Sequence, residues 1–176
     1  VLFWHLGATT AITRYTFRDE RMDLRFLMLG AVLPDLIDTP IGLLWYGRLH
    51  SVRLVTHSLP FAGAVMVAVL LATRRGRPRK RWMPVAIGLL LHLFLDAMWA
   101  DPATLWWPFL GWSFTADAAS TVGGYLRDLF TNPVMWAGEA VGALYLAYLW
   151  RAGHLSDPAR RAAFIATGRI DVPIGP

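Results

Sequence analysis

The sequence of 176 residues contains no cysteine. Disulfides and thiolate metal sites are therefore excluded, and any bound metal must be held by His, Asp or Glu. Charge is scarce as well: 16% of residues are charged and 56% are hydrophobic. Soluble domains carry about 25% charged residues, so the composition points to a membrane protein. The chain shows no internal repeat and no low-complexity segment, and its length predicts a single domain over residues 1–176.

What the chain does contain is a series of apolar runs at about residues 1–13, 26–46, 54–73, 82–100 and 134–150. No basic region precedes the first run, which argues against a signal peptide. The fold class read from this pattern is all-α: a polytopic membrane bundle of about five hydrophobic helices. Prolines at Leu33-Pro34 and Thr39-Pro40 are expected to break the second helix, because the residue before proline is biased away from helix. Residues 109–132 read as an outer interfacial loop with a short amphipathic helix that can serve as a lid.

The formal net charge of +5 suits nucleic acid or anionic lipid, and its distribution decides between them. RRGRPRKR at 74–81 and the arginines Arg14, Arg18, Arg21 and Arg25 lie between apolar runs, as does Arg151 with Arg160 and Arg161 after the last one. That is the pattern of cytoplasmic loops in a prokaryotic inner (plasma) membrane, so no nucleic-acid partner is expected. The N-terminus then lies outside, and membrane lipid is the partner.

The four later runs hold Asp35, Asp38, Asp96 and Glu139 but no Lys or Arg; Arg48 and Arg53 lie just outside them. An ionised carboxylate at mid-bilayer costs about 3 kcal/mol on insertion scales, so three unpaired aspartates cost on the order of 10 kcal/mol. Protonation, pairing with Arg48 or Arg53, or a metal cation with histidine co-ligands would each remove that cost. At about 1.5 Å of rise per residue, His5, Asp35, Asp38, His57, His92 and Asp96 all fall about 13–25 Å from the basic loops. Four helices thus deliver His or Asp to one layer in the middle-to-outer bilayer. His92 and Asp96 share a helix face at a spacing of four, and Asp35 and Asp38 do so at three. Glu139 reads as a hydrogen bond across helices. Thr56 and Ser58 read as helix caps, and His50, His154 and Asp101 as loop residues.

With AVLPDLID at 31–38, RLVTHSL at 53–59, GLLLHLFLD at 88–96 and LWWPF at 105–109, the chain resembles the YdjM-like family of membrane-bound metal-dependent hydrolases. The resemblance implies a divalent metal site, with zinc as the ion and room for more than one, built from His5, Asp35, Asp38, His57, His92 and Asp96. Where the family has an HRG sequence, this chain reads Val52-Arg53-Leu54, and His50 lies two residues earlier. The family is distantly similar to the zinc-dependent phospholipase C and single-strand nuclease superfamily, which implies phosphoester hydrolysis. A lipid phosphate or phospholipid is then the substrate, with Asp35, Asp38, Arg53 and His57 as catalytic candidates. Intramembrane His and Asp are equally the parts of a proton- or ion-coupled transporter, although no inverted repeat supports one. A non-catalytic scaffold with protonated acids would leave the shared layer unexplained.

Overall fold

The computed structural model describes residues 2–19 and 21–173, without the Arg77 side chain; Val1, where the first apolar run begins, lies outside the described residues. Among the described residues the protein is all-helical. The helices are α1 (Leu2–Phe17), α2 (Leu24–Leu44), α3 (Tyr46–Leu49), α4 (Leu59–Ala72), α5 (Arg77–Leu95), α6 (Pro102–Leu105), α7 (Val122–Thr131), α8 (Pro133–Ala152) and α9 (Pro158–Thr167). Short 3₁₀ turns occupy Val55–His57 and Met98–Ala100. Each apolar run becomes one long helix: α1, α2, α4, α5 or α8. By length and composition, one of them, α2, qualifies to cross a membrane; α4 is a shorter apolar helix.

Glycine sets the closest helix contacts. A Cβ on Gly30 would strike the Val85 backbone, and one on Gly88 would lie 2.7 Å from the Ala31 nitrogen, so α2 and α5 touch backbone to backbone. Gly7 and Gly142 do the same for α1 and α8. Such small-residue seams let apolar helices pack when side-chain burial offers little driving force. At the start of α1, Glu139 of α8 accepts hydrogen bonds from Phe3 N at 3.1 Å and Trp4 N at 2.8 Å. It satisfies N–H groups that a helix start leaves without partners.

The predicted break in α2 does not occur: Pro34 and Pro40 both lie inside one continuous helix. The local bias before proline is overridden in a helix packed backbone to backbone against α5. Two further bonds tie other segments to it: the Ala31 carbonyl accepts from His92, and the Pro34 carbonyl accepts from the Thr56 hydroxyl at 3.3 Å.

The interior mixes two apolar clusters with buried polar groups. His5, Thr9, Thr10, Thr13, Asp38, His57 and His92 are buried, while Leu36, Leu44, Leu71 and Leu144 stand outward. On α4, apolar throughout, Ala62 alone is buried. The basic segments collect at one end of the bundle. The Arg81 guanidinium lies 5.1 Å from the Phe26 ring centre, and the chain after α9 docks beside α2 through a 2.8 Å bond from Leu24 N to the Gly168 carbonyl.

Candidate metal centre

At the opposite end, three segments bring polar side chains together. α2 carries Asp35 and Asp38, the 3₁₀ turn Val55–His57 carries His57, and α5 carries His92 with Asp96 as its C-terminal cap. Asp96 remains in helical register, since its N–H bonds the His92 carbonyl at 2.9 Å. A carboxylate at a helix C-terminus faces the negative end of the dipole, so it needs outside support. His5 Nε2 lies 3.0 Å from Asp96 Oδ1, and Arg53 Nε lies 3.2 Å from Asp96 Oδ2.

Asp38 organises the turn. Its Oδ2 accepts from Leu54 N at 2.9 Å, Thr56 N at 3.0 Å and His57 N at 3.2 Å, and it lies 2.8 Å from His57 Nδ1. Gly42 permits this path, because a Cβ there would sit 2.6 Å from Val52 Cα. Ser58 caps α4 by accepting from Phe61 N at 3.3 Å, whereas Thr56 turns to α2.

These bonds orient both imidazoles. The carboxylate of Asp38 accepts from His57 Nδ1, and the carbonyl of Ala31, which can only accept, lies 2.7 Å from His92 Nδ1. In its neutral form each ring therefore carries its proton on Nδ1 and presents a lone pair at Nε2. The two Nε2 atoms lie 3.2 Å apart. Asp35 Oδ1 stands 3.5 Å from His57 Nε2 and 3.7 Å from His92 Nε2, and Asp96 Oδ2 stands 3.9 Å from His57 Nε2. Two facing lone pairs ringed by carboxylate oxygens repel unless a cation or a proton lies among them.

A metal fits this set. One donor atom each from Asp35, His57, His92 and Asp96 lies within 4.8 Å of all the others. Tetrahedral zinc with bonds of about 2.0–2.1 Å separates neighbouring ligands by about 3.4 Å, close to the contacts observed. The histidine nitrogens pointing away are held by a carboxylate and a backbone carbonyl, the usual support for metal-ligating imidazoles.

Of the six residues expected to bind metal, these four share the group. His5 reaches it through Asp96 and stacks on the His92 ring at a centroid distance of 4.2 Å. Asp38 stands behind His57. The exposed His50 remains outside the group, in a left-handed conformation at φ 51°, where its carbonyl accepts from Asp117 N at 2.7 Å.

The centre opens onto a cavity of about 1080 Å³. His5, Asp35, Arg53 and Asp96 form one part of its wall, and Asp117, Tyr125 and Asp128 contribute further polar groups from residues 109–132. Burial and the neighbouring Asp117 push the Tyr125 hydroxyl up to about 12, so it stays a neutral donor. Asp117 is raised by burial, and its Oδ2 accepts from Val52 N at 3.0 Å, which ties the outer segment to the stretch that carries Arg53. Sequence reasoning did not single out these three residues; the available signal was two acids and a tyrosine inside the expected lid.

The family described as YdjM inner membrane protein matches residues 3–156. The chain belongs to that family. The YdjM match takes in every residue of the centre and the bundle from α1 to α8, leaving α9 and the terminal segment outside. No curated protein and no solved structure matches the chain.

Proposed function

We propose that the protein is a membrane-embedded metal-dependent hydrolase that cleaves a phosphoester of a lipid or lipid-linked substrate. Its bundle spans the inner membrane through α1, α2, α4, α5 and α8, with the basic segments cytoplasmic and the centre in the outer half of the bilayer. One observation carries the reading: the facing His57 and His92 Nε2 atoms, 3.2 Å apart, lie between two aspartates that line a large cavity. A donor set of two imidazoles and two carboxylates without thiolate favours zinc among divalent ions.

A bound divalent ion would supply positive charge to a phosphoryl group and lower the pKa of water. The protein's own residues do the rest. Asp38 and the Ala31 carbonyl hold the two imidazoles in the ligating tautomer. His57, His92 and Asp96 would hold the ion with one position left for water, and Asp35, its side chain 33% exposed, would accept the proton from that side of the cavity. Arg53, 43% exposed and lining the cavity, offers a guanidinium to the phosphate oxygens. His5 fixes the Asp96 carboxylate from its other side.

A second reading rests on the same contact, because a proton shared between the two Nε2 atoms would also relieve their repulsion. It makes the protein a proton- or ion-coupled transporter. Metal content by mass spectrometry, with release of phosphate or head group from a panel of phospholipids and lipid phosphates, separates the two. The hydrolase gives a metal-dependent product that is lost in His57→Ala. Proton flux in liposomes without metal or product would replace it with the transporter.

A further inference from the structure

Outside the polar groups of the centre and residues 109–132, the cavity is walled by apolar side chains. Leu36 comes from α2, Leu129 from α7, and Val134, Met135 and Val141 from α8. α2 and α8 each pack along α1 and share a core at the basic end, through Leu24, Leu27 and Leu149; toward the other end both line the cavity, with a slot between them. The residues at that slot are apolar on their outer faces too: Leu36 is 64% exposed, Val134 77% and Val141 58%. In water such a rim would be a liability; in a bilayer it is level with hydrocarbon. Above the slot, the outer segment is pinned down by the bond from the Tyr46 hydroxyl to the Ala119 carbonyl, 2.8 Å, and by the Asp117 contacts.

We propose that this cavity binds the hydrocarbon tail of a phosphate-bearing bilayer lipid, which enters sideways between α2 and α8 and sets its phosphate against Arg53 and the metal centre. The inference rests on the hydrolase reading and adds the tail as the specificity element. The division of the wall supplies the argument. Cationic recognition of phosphate is confined to the end at Arg53 and the metal donors, and the apolar part continues through the slot to the membrane of an inner-membrane protein. A water-soluble phosphoester would leave the apolar wall hydrated, whereas a lipid tail covers it without leaving the hydrocarbon phase.

The test fills the slot. Val141→Trp and Leu36→Trp place bulk at the rim, and Leu144→Trp makes the same change on exposed α8 surface outside the cavity. Purified variants are given dipalmitoyl phosphatidic acid in vesicles and, separately, soluble p-nitrophenyl phosphate. Native mass spectrometry counts phosphatidic acid retained after detergent washing. Wild type and Leu144→Trp are expected to prefer the long-chain substrate and to retain lipid. In Val141→Trp and Leu36→Trp that preference should fall at least about tenfold, with retained lipid lost, as when contacts of one buried aliphatic group are removed. An unchanged preference with unchanged retention in both slot variants overturns the proposal, and so does an equal loss on both substrates. If wild type cleaves neither substrate, the hydrolase reading fails separately. Lipid retention then decides the tail site: loss confined to the slot variants supports it, and equal retention in all four proteins overturns it.

Discussion

Replacing Asp38 tests the turn that presents His57. One oxygen of this buried carboxylate receives three backbone N–H groups and the imidazole of His57. Asp38→Ala would strand the Leu54 and Thr56 N–H donors, while His57 N keeps the Leu54 carbonyl at 3.2 Å. At about 1–3 kcal/mol for each buried donor the loss is roughly 2–6 kcal/mol, a large part of the stability of a typical domain, about 5–15 kcal/mol. Asp38→Asn keeps an acceptor oxygen in place and loses only the charge, so its loss of stability should be about 1–2 kcal/mol. Its metal affinity should nevertheless fall about 10–100-fold, because the group supporting His57 Nδ1 is no longer a carboxylate. Denaturant unfolding in detergent, followed by zinc titration of whatever remains folded, reads both effects. Wild-type stability in Asp38→Ala would refute the reasoning, since the Leu54 and Thr56 N–H groups have Asp38 as their acceptor in this arrangement.

Gly88→Ala forces a methyl into the backbone of α2 and should lower the unfolding midpoint by several kcal/mol equivalent, whereas Gly63→Ala meets nothing within 4 Å and should stabilise α4 by about 0.5–1 kcal/mol. Because the chain has no native cysteine, a single cysteine at Gly76 gives a clean topology probe. It should react with impermeant reagent only in inverted vesicles, and labelling from the outside would invert the proposed orientation. Asp23 is raised by burial but held lower on balance by its bonds to Arg25. Its contribution to stability should be complete above the ordinary carboxylate pKa, about 3.9, and be lost as pH falls through the depressed folded value. Asp23→Asn should remove that acid-side slope from the unfolding curve.

The centre was legible in the sequence because membrane-like helices turn position along the chain into position along an axis. His5, Asp35, His57, His92 and Asp96 stand at comparable rises from arginines, and in the structure they meet. What could not be read depends on the path of irregular chain. Whether Asp38 faces the other donors or turns to the 54–57 backbone follows from the close seat of Val52 on Gly42, which no periodicity encodes. Whether His50 substitutes for a missing histidine follows from a single left-handed residue that leaves it on the surface. Proline misled for a related reason. The bias against helix before Pro34 and Pro40 is local, whereas the helix is held by the packing of α5 along it, distant in sequence.

His92 and Asp38 show how closely fold and site depend on each other. His92 satisfies a carbonyl of α2 with one nitrogen and faces His57 with the other; Asp38 builds the 54–57 turn with the oxygen that orients His57. Both contacts also turn an Nε2 atom toward the same point, where the two nitrogens lie 3.2 Å apart. The bonds that tie α5 and the 54–57 turn to α2 are therefore the ones that set the donor geometry, so a substitution that loosens either tie alters packing and donor spacing together.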